Sequence, residues 1–136
     1  MSSPCAASGA IYIYRTVADA KRTVLIVLFI PSVERDGKTA IDQERWVTKA
    51  LATFGKLFGG ATAFPKARGV WRDDANKGKL VFDEPVVLHC YTSREQIEDD
   101  KKLDKLRAIC RRMGKGTNQG EIGLVIDGEY LAITDY

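Results

Sequence analysis

Residues Ile122-Gly-Leu-Val-Ile-Asp-Gly-Glu-Tyr-Leu-Ala-Ile133 form two alternating runs on either side of Asp127-Gly128. That dipeptide is the strongest short-range signal for a two-residue β-hairpin, whose turn needs positive φ at both central positions. Such a turn fixes the register. Ile126 is predicted opposite Glu129, Leu124 opposite Leu131 and Ile122 opposite Ile133, with the apolar members on the core. Glu121, Gly123, Val125, Tyr130, Ala132 and Thr134 fall on the other face.

Upstream of the hairpin, Leu103, Leu106, Cys110 and Met113 recur at helical spacing. Gly114 and Gly116 are expected to stop that helix, and Thr117-Asn118-Gln119-Gly120 leads into the hairpin. Thr92 or Ser93 opens the helical region, with Glu95 and Gln96 in capping-box register. The charged run Glu98 to Lys102 divides it into a short turn and a main helix. Leu80 to Tyr91 reads as a strand broken near Pro85, since proline cannot donate to a ladder. A short strand is expected around Gly69-Val70-Trp71-Arg72, and Ala61-Thr62-Ala63-Phe64-Pro65 reads as a loop. The first helix carries Trp46, Val47, Ala50, Leu51, Phe54, Leu57 and Phe58 as its apolar stripe. Thr39 is its expected N-cap, with Asp42 three residues on, and Gly59-Gly60 ends it.

Thr23 to Pro31 is apolar on both faces, with Val24, Ile26, Leu28 and Ile30 on one and Leu25, Val27 and Phe29 on the other. A strand of this kind asks for cover on both sides. The order strand, helix, strand, strand, helix, hairpin predicts an α+β fold, a ferredoxin-like βαββαβ sandwich with an additional C-terminal hairpin strand. Helices cover one face of such a sheet; a second subunit or the N-terminal segment folding back could cover the other, and a homodimer is the favoured reading. Residues 1–22 are read as a flexible N-terminal segment with a short strand at Ile11 to Val17, and residues 23–136 as one α+β domain.

The chain has 136 residues, a net charge of +3 and three cysteines. That length buries a core without staples. The mild charge permits an anionic ligand but lacks the strong basic signature of nucleic-acid binding. No C-x-x-C pair is present, which argues against a zinc site or redox dithiol and for reduced thiols in the cytoplasm. The first residues lack a basic n-region, and the longest apolar run, Val24 to Ile30, is far below the ~20 residues needed to span a bilayer. The expectation is a soluble, cytoplasmic protein without membrane association.

Several residues could carry chemistry. Gly60, Thr62, Arg68 and Arg72 lie on a glycine-rich basic loop able to hold an anion, and Trp71 sits among them. The loop lacks P-loop spacing, and its glycines end a helix rather than open one. His89 is the only histidine; with Glu84 or Glu121 it is the candidate general base. Asn118, with Gln119, Gly120 and Glu121, stands where the hairpin begins and can approach the end of the first strand, and Tyr130 shares the Glu121 face. No histidine pair or cysteine cluster of metal-ligand spacing and no G-x-S-x-G are present, so neither a metal nor another cofactor is indicated. Arg107, Arg111, Arg112 and Lys115 could meet phosphates, but Asp100 and Asp104 on the same helix favour a solvated face.

Phe58-Gly-Gly-Ala-Thr62, Gly69-Val-Trp-Arg-Asp73 and the strand carrying Glu84 together resemble a group of small bacterial α+β proteins of unknown function. The likeness covers the middle third of the chain. It implies a small α+β domain and draws attention to Thr62, Trp71, Arg72 and Glu84, but it brings no activity or cofactor. Four functions stay open: a dimeric module for a small anionic ligand, a hydrolase or isomerase using His89 and a carboxylate, a nucleic-acid-associated protein, and a partner-binding subunit.

Overall fold

The computed structural model describes residues 23–136, and the readings made of residues 1–22, the strand at Ile11 to Val17 included, lie outside the described residues. In chain order the elements are β1 (Thr23–Ile30), α1 (Gln43–Phe58), β2 (Thr62–Phe64), β3 (Gly69–Asp73), β4 (Lys79–Asp83), β5 (Val86–Ser93), α2 (Arg94–Ile97), α3 (Asp100–Gly116), β6 (Ile122–Ile126) and β7 (Glu129–Ile133). A single 3-10 turn, Asp74–Asn76, joins β3 to β4.

The alternation in β1 decides the layering. Val24, Ile26, Leu28 and Ile30 are fully buried, and three of them join Trp46, Ala50 and Phe54 of α1 and Leu106, Cys110 and Met113 of α3 in one core. Burying each such aliphatic side chain contributes roughly 1.5–3 kcal/mol. Both long helices therefore lie on one face of a five-stranded sheet of order β2-β5-β1-β6-β7, antiparallel at every neighbour. The alternate residues Leu25, Val27 and Phe29 are only half-buried among the described residues.

The terminal hairpin has the predicted register, Ile126 to Glu129, Leu124 to Leu131 and Ile122 to Ile133. Asp127 and Gly128 hold φ of 54° and 82°, as the two-residue turn demands. Helix α1 begins later than expected. Asp42, not Thr39, is its N-cap, accepting from the Arg45 amide at 3.2 Å. Thr39 is instead held in a turn by Asp36, whose carboxylate accepts from both its amide and its hydroxyl. Those bonds pull the Asp36 pKa down to about 2. Gly114 does not stop α3, which runs on to Gly116 as its last residue, and beyond the Thr117 cap Asn118 takes the left-handed turn at φ 51°.

Two sheet assignments change. Thr62–Phe64, expected as a loop, is an edge strand paired to β5, with Thr62 opposite His89 and Phe64 opposite Val87. The strand at Gly69–Asp73 leaves the main sheet and pairs with β4 as a separate two-stranded arm. The break at Pro85 therefore separates strands of two sheets. The base of the arm is stitched to the end of β1: Asp83 accepts from the Ser32 amide at 2.9 Å and from its hydroxyl, and the Glu84 amide donates to Ser32 Oγ at 3.0 Å.

Candidate functional site

Tyr130 lies opposite Val125 on the sheet face turned away from α1 and α3. Its ring leans diagonally over Gly123, where a Cβ would lie 2.8 Å from the tyrosine Oη and 3.3 Å from Phe29 Cδ2. The missing side chain lets the phenol reach past β6 and donate to Glu121 Oε2 at 2.6 Å. Desolvation, then the hydrogen bond to Glu121 and its charge, pushes the Tyr130 pKa up to about 12. The phenol is thus a neutral donor throughout the physiological range, and it orients the carboxylate.

This pair forms one wall of a cleft of about 420 Å³. Phe29 and Pro31 from the end of β1, Trp71, Arg72 and Asp83 of the arm, and Arg35, Gln119 and Gly120 complete its lining. Loop pairing brings the last three together. The Arg35 amide donates to the Asn118 carbonyl at 3.0 Å, Asn118 Nδ2 donates to Glu34 at 3.2 Å, and Gln119 Nε2 donates to the Val33 carbonyl at 2.6 Å. The junction before the hairpin does approach the end of the first strand.

The structure gathers Trp71, Arg72, Glu121 and Tyr130 from the sequence-predicted set around this cleft. Asn118 stands just behind it, in a polar hollow shared with Arg35, Lys38 and Lys79. Arg68 and Glu84 lie on a shallow groove along the arm with Val70 and Phe82. Gly60 follows Gly59, whose φ of 96° and bond to the Gly55 carbonyl end α1, and neither it nor Thr62 lines the cleft. His89 packs edge-on against Phe64, with ring centroids 4.8 Å apart.

Register places His89 in a row that crosses the sheet, Thr62–His89–Val27–Val125–Tyr130. Three strand steps, ~14 Å at the usual spacing, separate the His89 backbone from that of Tyr130. Glu121 and His89 therefore stand at different parts of the sheet, and Glu84 sits beyond the arm's base.

Sequence reading missed Arg35, Phe29, Asp83 and Gly123. Phe29 was visible as one of the apolar residues on the second face of β1. Gly123 carried a weaker signal, a glycine inside a strand, which often marks close approach of another group. The buried thiols are inert: burial alone raises the Cys90 pKa to about 11 and dominates in raising that of Cys110 to about 12. No group of three His, Cys, Asp or Glu placed to hold a metal occurs among the described residues. The basic row on α3 is partly neutralised, since Arg107 bridges Asp104 at 3.2 Å and Arg111 bridges Asp135 at 2.9 Å.

No protein-family model and no curated protein matches the chain. Among solved structures it is similar to a phage SAM lyase in complex with S-methyl-5′-thioadenosine, with a TM-score of 0.64 and 16% identity over 84% of this chain and 91% of that one. A phage SAM lyase in the apo state superposes with a TM-score of 0.54 at 17% identity, covering 83% of this chain and 88% of that one. Identities this low establish a shared α+β fold. No helix among the described residues is long and apolar enough to cross a membrane.

Proposed function

We propose that the Tyr130–Glu121 cleft binds a small adenosyl-type ligand and that the protein is a lyase acting on S-adenosylmethionine. The observation that carries this is the cleft itself: a carboxylate held by a neutral phenol, walled by Phe29, Trp71 and Tyr130, on a fold shared with a SAM lyase. Aromatic faces suit both a planar purine and a sulfonium, which like other soft cations is attracted to π-systems. Glu121 adds a negative charge for the cationic groups of the substrate.

Releasing methylthioadenosine breaks the bond between the sulfonium sulfur and the γ-carbon of the aminobutyryl chain. The bonding pair passes to sulfur, which loses its charge. The substrate's own carboxylate oxygen bonds to the γ-carbon and closes a five-membered lactone. No proton is transferred and no water is consumed, so the protein's part is to hold the chain folded with its carboxylate behind the γ-carbon. A nucleophilic side chain is not required, in keeping with two buried, protonated thiols.

The strand order β2-β5-β1-β6, with both long helices on one face, supports reading the core as ferredoxin-like with β7 added at one edge and the arm inserted between β2 and β5. Self-association is supported by the exposed apolar side chains Val70, Leu80 and Phe82 on the arm and Tyr91 on the sheet face turned away from α1 and α3.

The test is incubation of the protein with S-adenosylmethionine and chromatographic measurement of methylthioadenosine. The expected result is turnover that falls at least about 100-fold in Glu121→Gln, the range for losing a charged group that contacts the reacting substrate. Absence of product with the intact protein, together with no binding of methylthioadenosine, removes the reading.

A further inference from the structure

The cleft holds two arginines in different states. Arg72 is engaged by Asp74, with Nε 2.6 Å from the carboxylate. Arg35 has no carboxylate within ion-pair distance among the described residues, although it lines the same cleft. Its position is built rather than incidental. The Arg35 amide is tied to the Asn118 carbonyl, and its guanidinium lies along Gly120, where even a Cβ would come within 3.4 Å of Cζ and Nε. The residue is exposed and also borders the polar hollow shared with Lys38, Lys79 and Asn118, so water reaches it.

We infer that Arg35 is the specificity-determining residue that takes the carboxylate of the ligand's amino-acid end, an inference that rests on the adenosyl-ligand reading above. The other charges of the cleft make this assignment. Asp83 and Glu121 repel a carboxylate, and Arg72 already has its partner. A guanidinium presents a planar fork that matches a carboxylate edge and fixes its direction. The ligand is thereby oriented, with its base among the aromatic rings and its amino-acid end at the rim. A nucleoside thioether without the amino acid fills the aromatic part alone and leaves Arg35 unused.

Calorimetric titration with two probes tests this, S-adenosylhomocysteine, which carries the amino acid, and methylthioadenosine, which does not. In Arg35→Ala the affinity for S-adenosylhomocysteine is expected to fall about 10- to 100-fold, the range for a charge-assisted bond. Methylthioadenosine affinity is expected to stay within about 2-fold, which also shows that the variant is folded. Arg35→Lys should recover part of the loss, since charge remains while the fork is gone. Equal weakening of both probes, or unchanged S-adenosylhomocysteine affinity, overturns the assignment while leaving the cleft as an adenosyl site. If neither probe binds the intact protein, the adenosyl reading fails and the role of Arg35 fails with it.

Discussion

Gly123 is where the smallest side chain has the largest effect on the cleft. Replacing it with alanine sets two effects against each other. Alanine in a strand restricts the unfolded chain, which favours folding by roughly 0.5–1 kcal/mol. Against that, the new Cβ would sit 2.8 Å from Tyr130 Oη and 3.1 Å from its Cε1, an overpacking that costs roughly 1–3 kcal/mol. Overpacking should win, with Gly123→Ala destabilised by about 1 kcal/mol in denaturant titration. Adding Tyr130→Ala removes the clash, so the double variant should be more stable than the sum of the single effects. Strict additivity would show that the ring does not rest on Gly123.

The residues of the cleft were unequally legible. Glu121 and Tyr130 share a face because a two-residue turn fixes parity, and that much follows from Asp127-Gly128. Arg35 carried no such mark. Beside Asp36-Gly37 it has the pattern of an ordinary charged surface turn, and only the pairing of residues 33–35 with 118–119 gives it a neighbour in Gly120.

Helices α1 and α3 meet where the Trp46 indole rests on Gly116, and a Cβ there would lie 2.7 Å from Cζ2. Trp46 is 8% exposed, packed in the core with Arg45 and Lys49 over its ring. It has little room to move. Gly116→Ala should therefore destabilise by about 1–3 kcal/mol, despite the better helix propensity of alanine. Gly55, in the middle of α1, meets nothing within 4 Å. Alanine at that position should stabilise by about 0.5–1 kcal/mol. Opposite signs for one chemical change in two helices, read as melting temperatures, check that close packing decides rather than glycine content. Equal signs would refute it.

Element by element, what the sequence revealed follows from how much pattern each segment contains. The hairpin announced itself through alternation on both sides of a turn. Helix α1 was visible from its stripe, but its start was misplaced because Thr39 and Asp42 are both competent caps, and Asp36 occupies the threonine. Thr62–Phe64 has three residues, too few to show any period, and its pairing with β5 is a tertiary fact. β3 showed strand character without showing which sheet it joins, since local alternation contains no information about the partner.

At the scale of the whole molecule, two groups of apolar side chains are exposed among the described residues. One lies on the sheet face turned away from α1 and α3, where Tyr91 is 68% exposed. The other lies on the outer side of the arm, where Val70, Leu80 and Phe82 stand out. Val70 and Phe82 are cross-strand neighbours and so form a continuous patch. If that patch mediates self-association, sedimentation velocity of the intact chain should show an assembly larger than a monomer. The double variant Leu80→Asp, Phe82→Asp should then sediment as a monomer with its circular dichroism unchanged, because both side chains point away from the core. A monomer in the intact chain would leave the arm's apolar side without this explanation.

The row that runs from Thr62 through His89 to Tyr130 also equips the molecule with its own reporter. One histidine in the chain means one pair of imidazole C–H signals in a proton NMR spectrum. That ring shares a sheet face with Val27 and Tyr91, beside the edge strand and under the field of the Phe64 ring, its backbone ~14 Å from that of Tyr130. Anything that settles beside His89 displaces both lines strongly, while a ligand held between Tyr130 and the arm displaces them less. Two resonances can thus tell a copy docking on the sheet from a molecule entering beneath Trp71, without a label being added.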